Sequence, residues 1–336
     1  MDTASVTEQP VLAVIPDDGV RIVTVGLAVA IGVAYGILHW LNKRSSEESR
    51  VGAIIRHHWQ PGAWILGILL VTLALPKYFT IVAITALSLL CFREFSRTTG
   101  VFREKTICAV ATLGILLLNF AAIDNYSRLF FAGGALTVAL LTVCTIPFDK
   151  PKGYIQRTAL GTMGFLLFGY SLGYVSLLCN TPHSRLLILF LLVAVTLNDM
   201  LVFLFSAVGP KSWLLPHTSL GRTRIGALGA LVVTTVLTCF SGMVLFDGTP
   251  LAALVPLLIL GVGISVLGQL GDLLVAAIKR DVGIPETRPN SPNRGGLLER
   301  FDSLILVAPA YVHFLSLMLG PIGSDLPQRV ITGGGP

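Results

Sequence analysis

Apolar residues in this chain come in long runs rather than in the alternation of a half-buried strand or the 3.6-residue period of a surface helix. The runs fall at about 22–41, 63–75, 79–92, 107–123, 129–147, 158–179, 185–207, 225–246, 251–278 and 303–320. Most can cross a hydrocarbon layer of about 30 Å as a helix rising about 1.5 Å per residue. Ten membrane segments are therefore expected in an all-α, polytopic integral membrane protein. The second and third runs are short and separated only by Pro76 and Lys77, which suits a tilted hairpin or a re-entrant pair. The run at 22–41 follows an acidic start (Asp2, Glu8, Asp17, Asp18) and is about 20 residues long, so a retained anchor is expected rather than a cleaved signal peptide.

The polar positions between the runs set an orientation. Nineteen of the 24 Lys and Arg fall on alternate loops and segment ends, among them Arg56, Arg93, Lys105, Arg157, Arg222, Lys279 and Arg300. The opposite side keeps Arg21, Lys77, Arg128, Arg185 and Arg329. Because positively charged loops stay in the cytoplasm, both termini are expected outside it and the loops at about 42–62 and 279–302 inside. In a bacterium this is the cytoplasmic (inner) membrane.

Composition narrows the class further. The chain has 336 residues, 54% hydrophobic and only 12% charged, with a mean hydropathy of +0.79; an average soluble domain carries about 25% charged residues. A soluble globular enzyme and a disordered chain are excluded. The net charge of +6 does not imply nucleic acid, because the basic residues punctuate apolar runs instead of forming a basic face. Five cysteines (Cys91, Cys108, Cys144, Cys179, Cys239) stand singly, without metal-binding spacing, and are expected as small core residues.

Chemistry is sought among ionisable residues within or at the edge of apolar runs, since each costs about 2.5–3.5 kcal/mol at the bilayer centre on insertion scales. Asp199 follows Asn198 inside one run, Asp272 lies two turns before Lys279 and Arg280, and Asp302 opens the last run. The alternation of loops puts all three on one side at a similar depth, beside a loop with Glu286, Glu299 and several cations. An interfacial salt-bridge network is the plainer interpretation of any one of them. Three together suit Mg2+, which takes one or two carboxylates and completes its shell with water and phosphate oxygens, and they are enough acids for a second metal ion. Lys279, Arg280, Arg294 and Arg300 suit phosphate oxygens. Gly295 and Gly296 would let the backbone approach a phosphate, though such a pair also marks a simple turn. Acids for a metal beside cations for phosphates indicate phosphoryl or nucleotidyl transfer.

The run AAIKRDVGIPETRPNSPNRGGLLERFDSL resembles, without a gap, the C-terminal signature of the phosphatidate cytidylyltransferase (CDP-diacylglycerol synthase) family, Ser-x-x-Lys-Arg-x4-Lys-Asp followed by Pro-Gly-His-Gly-Gly-x-x-Asp-Arg-x-Asp. Lys279, Arg280, Pro292, Gly295, Gly296, Arg300 and Asp302 stand where the family has the same residues. Asp272 matches its Gly-Asp-Leu lead-in, Asn198-Asp199 an earlier Asn-Asp, and Ser219, Thr223 and Gly226 a Ser-Pro-Lys-Lys-Thr-x-Glu-Gly segment. LSLLCFREFSR is similar to an early helix end with Arg-Glu-Phe. The chain departs from the pattern at Ala276, Pro285, Glu286, Asn293, Arg294 and Glu299, and upstream at Gly221, Arg222 and Ile225.

The resemblance implies that phosphatidate and CTP give CDP-diacylglycerol and pyrophosphate. It implies catalytic roles for Lys279, Arg280 and Asp302, and substrate binding by Arg222, Thr223, Arg294, Gly295, Gly296 and Arg300. Metal binding would fall to Asp272 and Asp302, with Asp199, Glu286 and Glu299 as further candidates. It also implies a homodimer in contact with membrane lipids. Residues 1–150 are then an accessory or dimerisation region, 151–320 the catalytic region, and 321–336 a flexible tail. An inactive or repurposed membrane paralogue and an ion-coupled transporter are the alternatives; a transporter would place its acids near the midplane on interrupted helices.

Overall fold

The computed structural model of the protein describes residues 71–73, 75–149, 151–208, 210, 212–283, 296–320 and 329–333. The run at 22–41, nearly all of that at 63–75, the loop between them, and the site candidates Glu286, Arg294 and Gly295 lie outside the described residues.

Among the described residues, eight helices long and apolar enough to cross a membrane follow one another: α1 (Lys77–Thr99), α2 (Lys105–Ile123), α3 (Ser127–Val143), α4 (Tyr154–Leu178), α5 (Ser184–Val208), α6 (Arg224–Leu245), α7 (Leu254–Asp281) and α8 (Leu298–Leu319). They answer to the last eight expected runs, and the protein is an all-α integral membrane protein. The expectation of a short segment at 79–92 is corrected. α1 has 23 residues, beginning after Pro76 and ending at Gly100, whose φ of 81° only glycine adopts easily. Arg93, Glu94 and Arg97 lower the hydropathy of its last two turns, so the apolar run stops at 92 while the helix runs on.

The helices form two packed groups. In the first, α1, α2 and α3 pack with α4, whose middle relaxes into a π-helical stretch over Phe165–Tyr170. Phe95 and Phe168 meet there at 5.4 Å between ring centroids, and Phe130 and Tyr170 at 5.5 Å. In the second, α7 packs against both α6 and α8, and α5 against α6. The two groups join where α8 lies along the last part of α4.

One departure from helix matters for the site. Between α5 and α6 the chain forms an antiparallel hairpin, β1 (Trp213–Leu215) with β2 (Ser219–Thr223), pairing Trp213 with Thr223 and Leu215 with Ser219. The hairpin hands the chain to α6 through Thr223, whose hydroxyl accepts a hydrogen bond from Gly226 N at 3.0 Å and caps the helix.

The loops sort onto two ends as the charge alternation predicts. At one end Lys77 donates to Asn180 and Arg185 to the carbonyl of Leu75, while Arg329 lies over the ring of Tyr126. At the other end Arg157 pairs with Glu104, Arg222 with Asp272 and Lys279 with Glu299. Within the tail expected to be flexible, residues 329–333 rest on the α2–α3 corner, where the amides of Ile331 and Thr332 donate to Asp124.

Candidate active site

The three aspartates come from three helices of the second group and meet at one level. The crossing of α7 and α8 brings two of them together: a Cβ added at Gly271 would lie 2.3 Å from the carbonyl oxygen of Asp302, so only glycine permits this approach. Asp272 on α7 and Asp302 on α8 thereby become neighbours. Asp199 reaches the same place from α5, because Ser303 Oγ donates to its Oδ1 at 2.7 Å. The same hydroxyl lies 3.5 Å from Asp302 Oδ1, which accepts the Ser303 amide at 2.8 Å. Asp302 is 4% exposed.

Arg222, carried in by β2, supplies the cation. Its Nε lies 2.6 Å from Asp272 Oδ2, and the two side chains keep 21% and 20% of their surface exposed. Burial works against the guanidinium charge. The carboxylates of Asp272, Asp199 and Asp302 outweigh it and push the Arg222 pKa above its ordinary value. One basic side chain thus faces three acids in a place of low dielectric.

Beneath this cluster Asn198 organises neutral polar groups. It is fully buried, and its Oδ1 accepts from Ser265 at 2.7 Å and from Thr234 at 3.3 Å, tying α5 to α7 and α6. Gln269, one turn along α7 from Ser265, donates to that serine and to the carbonyl of Ala227. This layer fixes the α5 backbone on which Asp199 is the next residue.

The other expected site residues fall as follows. Lys279 is ion-paired with Glu299 across the α7–α8 ends, so Glu299 faces a cation rather than the aspartates. Arg280 is the next residue of α7. Arg300 is partly buried within electrostatic reach of Glu299 and Glu94. The structure gives Thr223 a different task from the substrate contact expected of it: it is 1% exposed, caps α6, and its amide and hydroxyl both engage Ser206. Gly296 lies against the carboxylate of Glu94.

Among the described residues no three His, Cys, Asp or Glu side chains close on a common metal-binding point. Asp199, Asp272 and Asp302 are instead linked through Ser303 and Arg222. The donor set still fits a hard divalent cation, which needs only one or two carboxylates when water and phosphate oxygens complete its shell.

Ser303 was not singled out in the sequence, and Glu94 stood there only as the middle of the Arg-Glu-Phe helix end, with no role given to it. Ser303 adjoins a candidate acid, a position that always merits inspection. Glu94 had a stronger signal, since it is a carboxylate near the end of an apolar run.

The profile of the cytidylyltransferase family matches residues 58–318. The chain belongs to the cytidylyltransferase family. It is 31% identical over 223 residues to a protein named phosphatidate cytidylyltransferase from Staphylococcus saprophyticus, covering 57% of this chain and 85% of that one. A protein of the same name from Bacillus subtilis is 28% identical over 226 residues, 63% of this chain and 80% of its own. Uncharacterized protein YnbB of Escherichia coli (strain K12) is 27% identical over 245 residues, 71% of this chain and 80% of its own. As a cytidylyltransferase the chain is a membrane-embedded nucleotidyltransferase, and the transporter alternative loses its support. The family match covers both helix groups, the acidic cluster and the Glu94 contact.

Proposed function

We propose that this cytidylyltransferase acts on phosphatidate, with its site facing the cytoplasm. A phosphate oxygen of the lipid attacks the α-phosphorus of CTP, a new P–O bond forms, the α–β phosphoanhydride breaks, and CDP-diacylglycerol and pyrophosphate leave. The observation that carries this reading is the convergence of Asp199, Asp272, Asp302 and Arg222 at the helix ends that also bear Lys279 and Arg300. Two proteins named for this activity share about 30% identity with the chain.

Lys279 and Arg300 are suited to the triphosphate, with Arg280 beside them; a guanidinium can hold two phosphate oxygens at once. Incoming phosphates would compete with Glu299 for Lys279, so that pair is a resting arrangement that substrate exchanges for its own. The lipid phosphate is already ionised at neutral pH, so no general base is required. Asp272 and Asp302 would hold Mg2+, which when bound neutralises charge on the phosphates. Arg222 steadies the aspartates by holding Asp272 in place. A homodimer in contact with bilayer lipids is proposed from the family resemblance.

A second reading, a repurposed paralogue, is favoured by one observation: Lys279 and Arg222 already satisfy acids of the chain itself. Purified full-length protein in phosphatidate-containing micelles with Mg2+ and labelled CTP separates the two. Labelled lipid with release of pyrophosphate is expected. Folded protein that makes none, while a phosphatidate cytidylyltransferase control does, would leave the repurposed paralogue.

A further inference from the structure

We propose that Glu94 is a positioning residue for the site: reaching over from α1, it fixes the start of α8 and so the level at which Asp302 meets the aspartates of α5 and α7. The consequence for turnover rests on the cytidylyltransferase reading above; the contact itself does not.

A helix start leaves its first amides without intrahelical partners, and a side-chain oxygen usually satisfies one of them. α8 has no such local cap, since its N-cap position is Leu297. The acceptor comes from 204 residues away: Leu298 N donates to Glu94 Oε2 at 3.2 Å. A carboxylate is the favoured occupant of that place, because the helix dipole is positive there. The other oxygen fills a second gap. Glu94 Oε1 lies 1.6 Å from where a Cβ of Gly296 would stand, so the second glycine of the Gly295-Gly296 pair makes room for this carboxylate.

Glu94 is also close to the chemistry. Arg300, two residues into α8 from the capped amide, is within its electrostatic reach. Cys91, three residues before Glu94 on α1, lies within electrostatic range of both Glu94 and Asp302. Asp302 follows Leu298 by about one helical turn, or roughly 6 Å of rise. A shift or rotation at the start of α8 is therefore passed almost undiminished to Asp302. α1 otherwise belongs to the first helix group, which makes Glu94 a tie between the group that carries the aspartates and the one that does not.

The test compares Glu94→Ala and Glu94→Gln with wild type in full-length, detergent-purified protein. Hydrogen exchange of the 296–303 segment is read without ligand, and kcat, KM for CTP and KM for phosphatidate are read per folded molecule. Glu94→Ala should speed exchange at the start of α8 and lower kcat by about tenfold to a hundredfold, the scale expected of an ångström-level misplacement, with KM for phosphatidate unchanged. Glu94→Gln keeps an acceptor oxygen and should recover most of both. Unchanged exchange in Glu94→Ala would overturn the proposal, as would faster exchange with wild-type kcat, which is the signature of a stability cap alone. A wild type that makes no labelled lipid counts against the phosphatidate reading only, and the exchange data then uphold or overturn the positioning contact by themselves.

Discussion

The two helix groups are both apolar enough to cross a membrane, yet they bury different things. α1–α4 meet through rings and small residues; deep among them the polar contacts are neutral, such as Ser176 donating to Asn119 at 2.7 Å, and the Arg157–Glu104 ion pair sits at the helix ends. α5–α8 bury Asp302, hold Asp199 and Asp272 beside it, and set all three against Arg222. A carboxylate costs about 2.5–3.5 kcal/mol at the bilayer centre on insertion scales and less toward a helix end, and three gathered against a single arginine are a cost that a purely structural contact does not require. The difference teaches where substitution should act on turnover and where it should act on stability.

The largest effect is expected at Asp302. Asp302→Asn keeps the volume and removes the charge at the most buried of the three acids, so cytidylyl transfer should fall by about a hundredfold or more, the scale of losing a transition-state electrostatic contact. The protein should still purify as a folded species, because the neutral side chain no longer bears the cost of burial. Near-wild-type turnover would remove the acidic cluster from the chemistry and with it the contrast between the groups.

Arg222 comes next. Arg222→Ala leaves Asp272, Asp199 and Asp302 facing one another without their cation, and a loss of about tenfold or more in turnover is expected, together with reduced thermal stability. Arg222→Lys restores the charge without the planar fork and should recover part of each. Equal loss in both variants would mean that the fork geometry, rather than the charge, is what the acids require.

The converse experiment belongs to the first group. Phe168 is fully buried against Phe95, and Phe168→Ala should cost about 3–5 kcal/mol of stability in a denaturation titration. Turnover per folded molecule should stay at the wild-type level. If kcat falls in step with stability instead, the two groups act as one unit and the comparison fails.

The same contrast explains what could be read from the chain alone. Eight helices and their alternating ends were legible, because long apolar runs and the placement of Lys and Arg report directly on a bilayer. The aspartates were legible for the same reason inverted: a carboxylate in an apolar run is conspicuous. What escaped detection depends on contacts between distant segments. Thr223 has the composition of a phosphate contact, but its hydroxyl is committed to capping α6. Glu299 has the charge of a metal ligand, but Lys279 claims it. The hairpin that delivers Arg222 is too short to leave a strand pattern, and Glu94 meets its partner 204 residues away. Local pattern carries the architecture, while pairing across the fold decides the role of each polar group.

The smallest effect concerns the acid of the first group that is buried at a corner, away from the three aspartates. Asp124 is fully buried just beyond the end of α2 and accepts the amides of Ile331 and Thr332 at 2.6 and 3.0 Å. Burial raises its pKa, but the Thr332 hydroxyl, these two amides and the nearby Arg329 outweigh it and hold the carboxyl below its ordinary 3.8. A depressed value gives stabilisation that is complete above 3.8 and lost as the pH falls through the lower folded value. Acidification to about pH 5 should therefore leave the 329–333 segment docked, and release should begin only below 3.8, where the carboxyl takes up its proton. Hydrogen exchange of that segment, corrected for the intrinsic rate at each pH, should show this step in wild type and none in Asp124→Asn. Because the docked tail lies at the opposite end from Asp302, cytidylyl transfer at neutral pH should be the same in both proteins. An exchange step shared by the variant would assign the release to another group. A fall in turnover would show that this end of the bundle is coupled to the aspartates through α8.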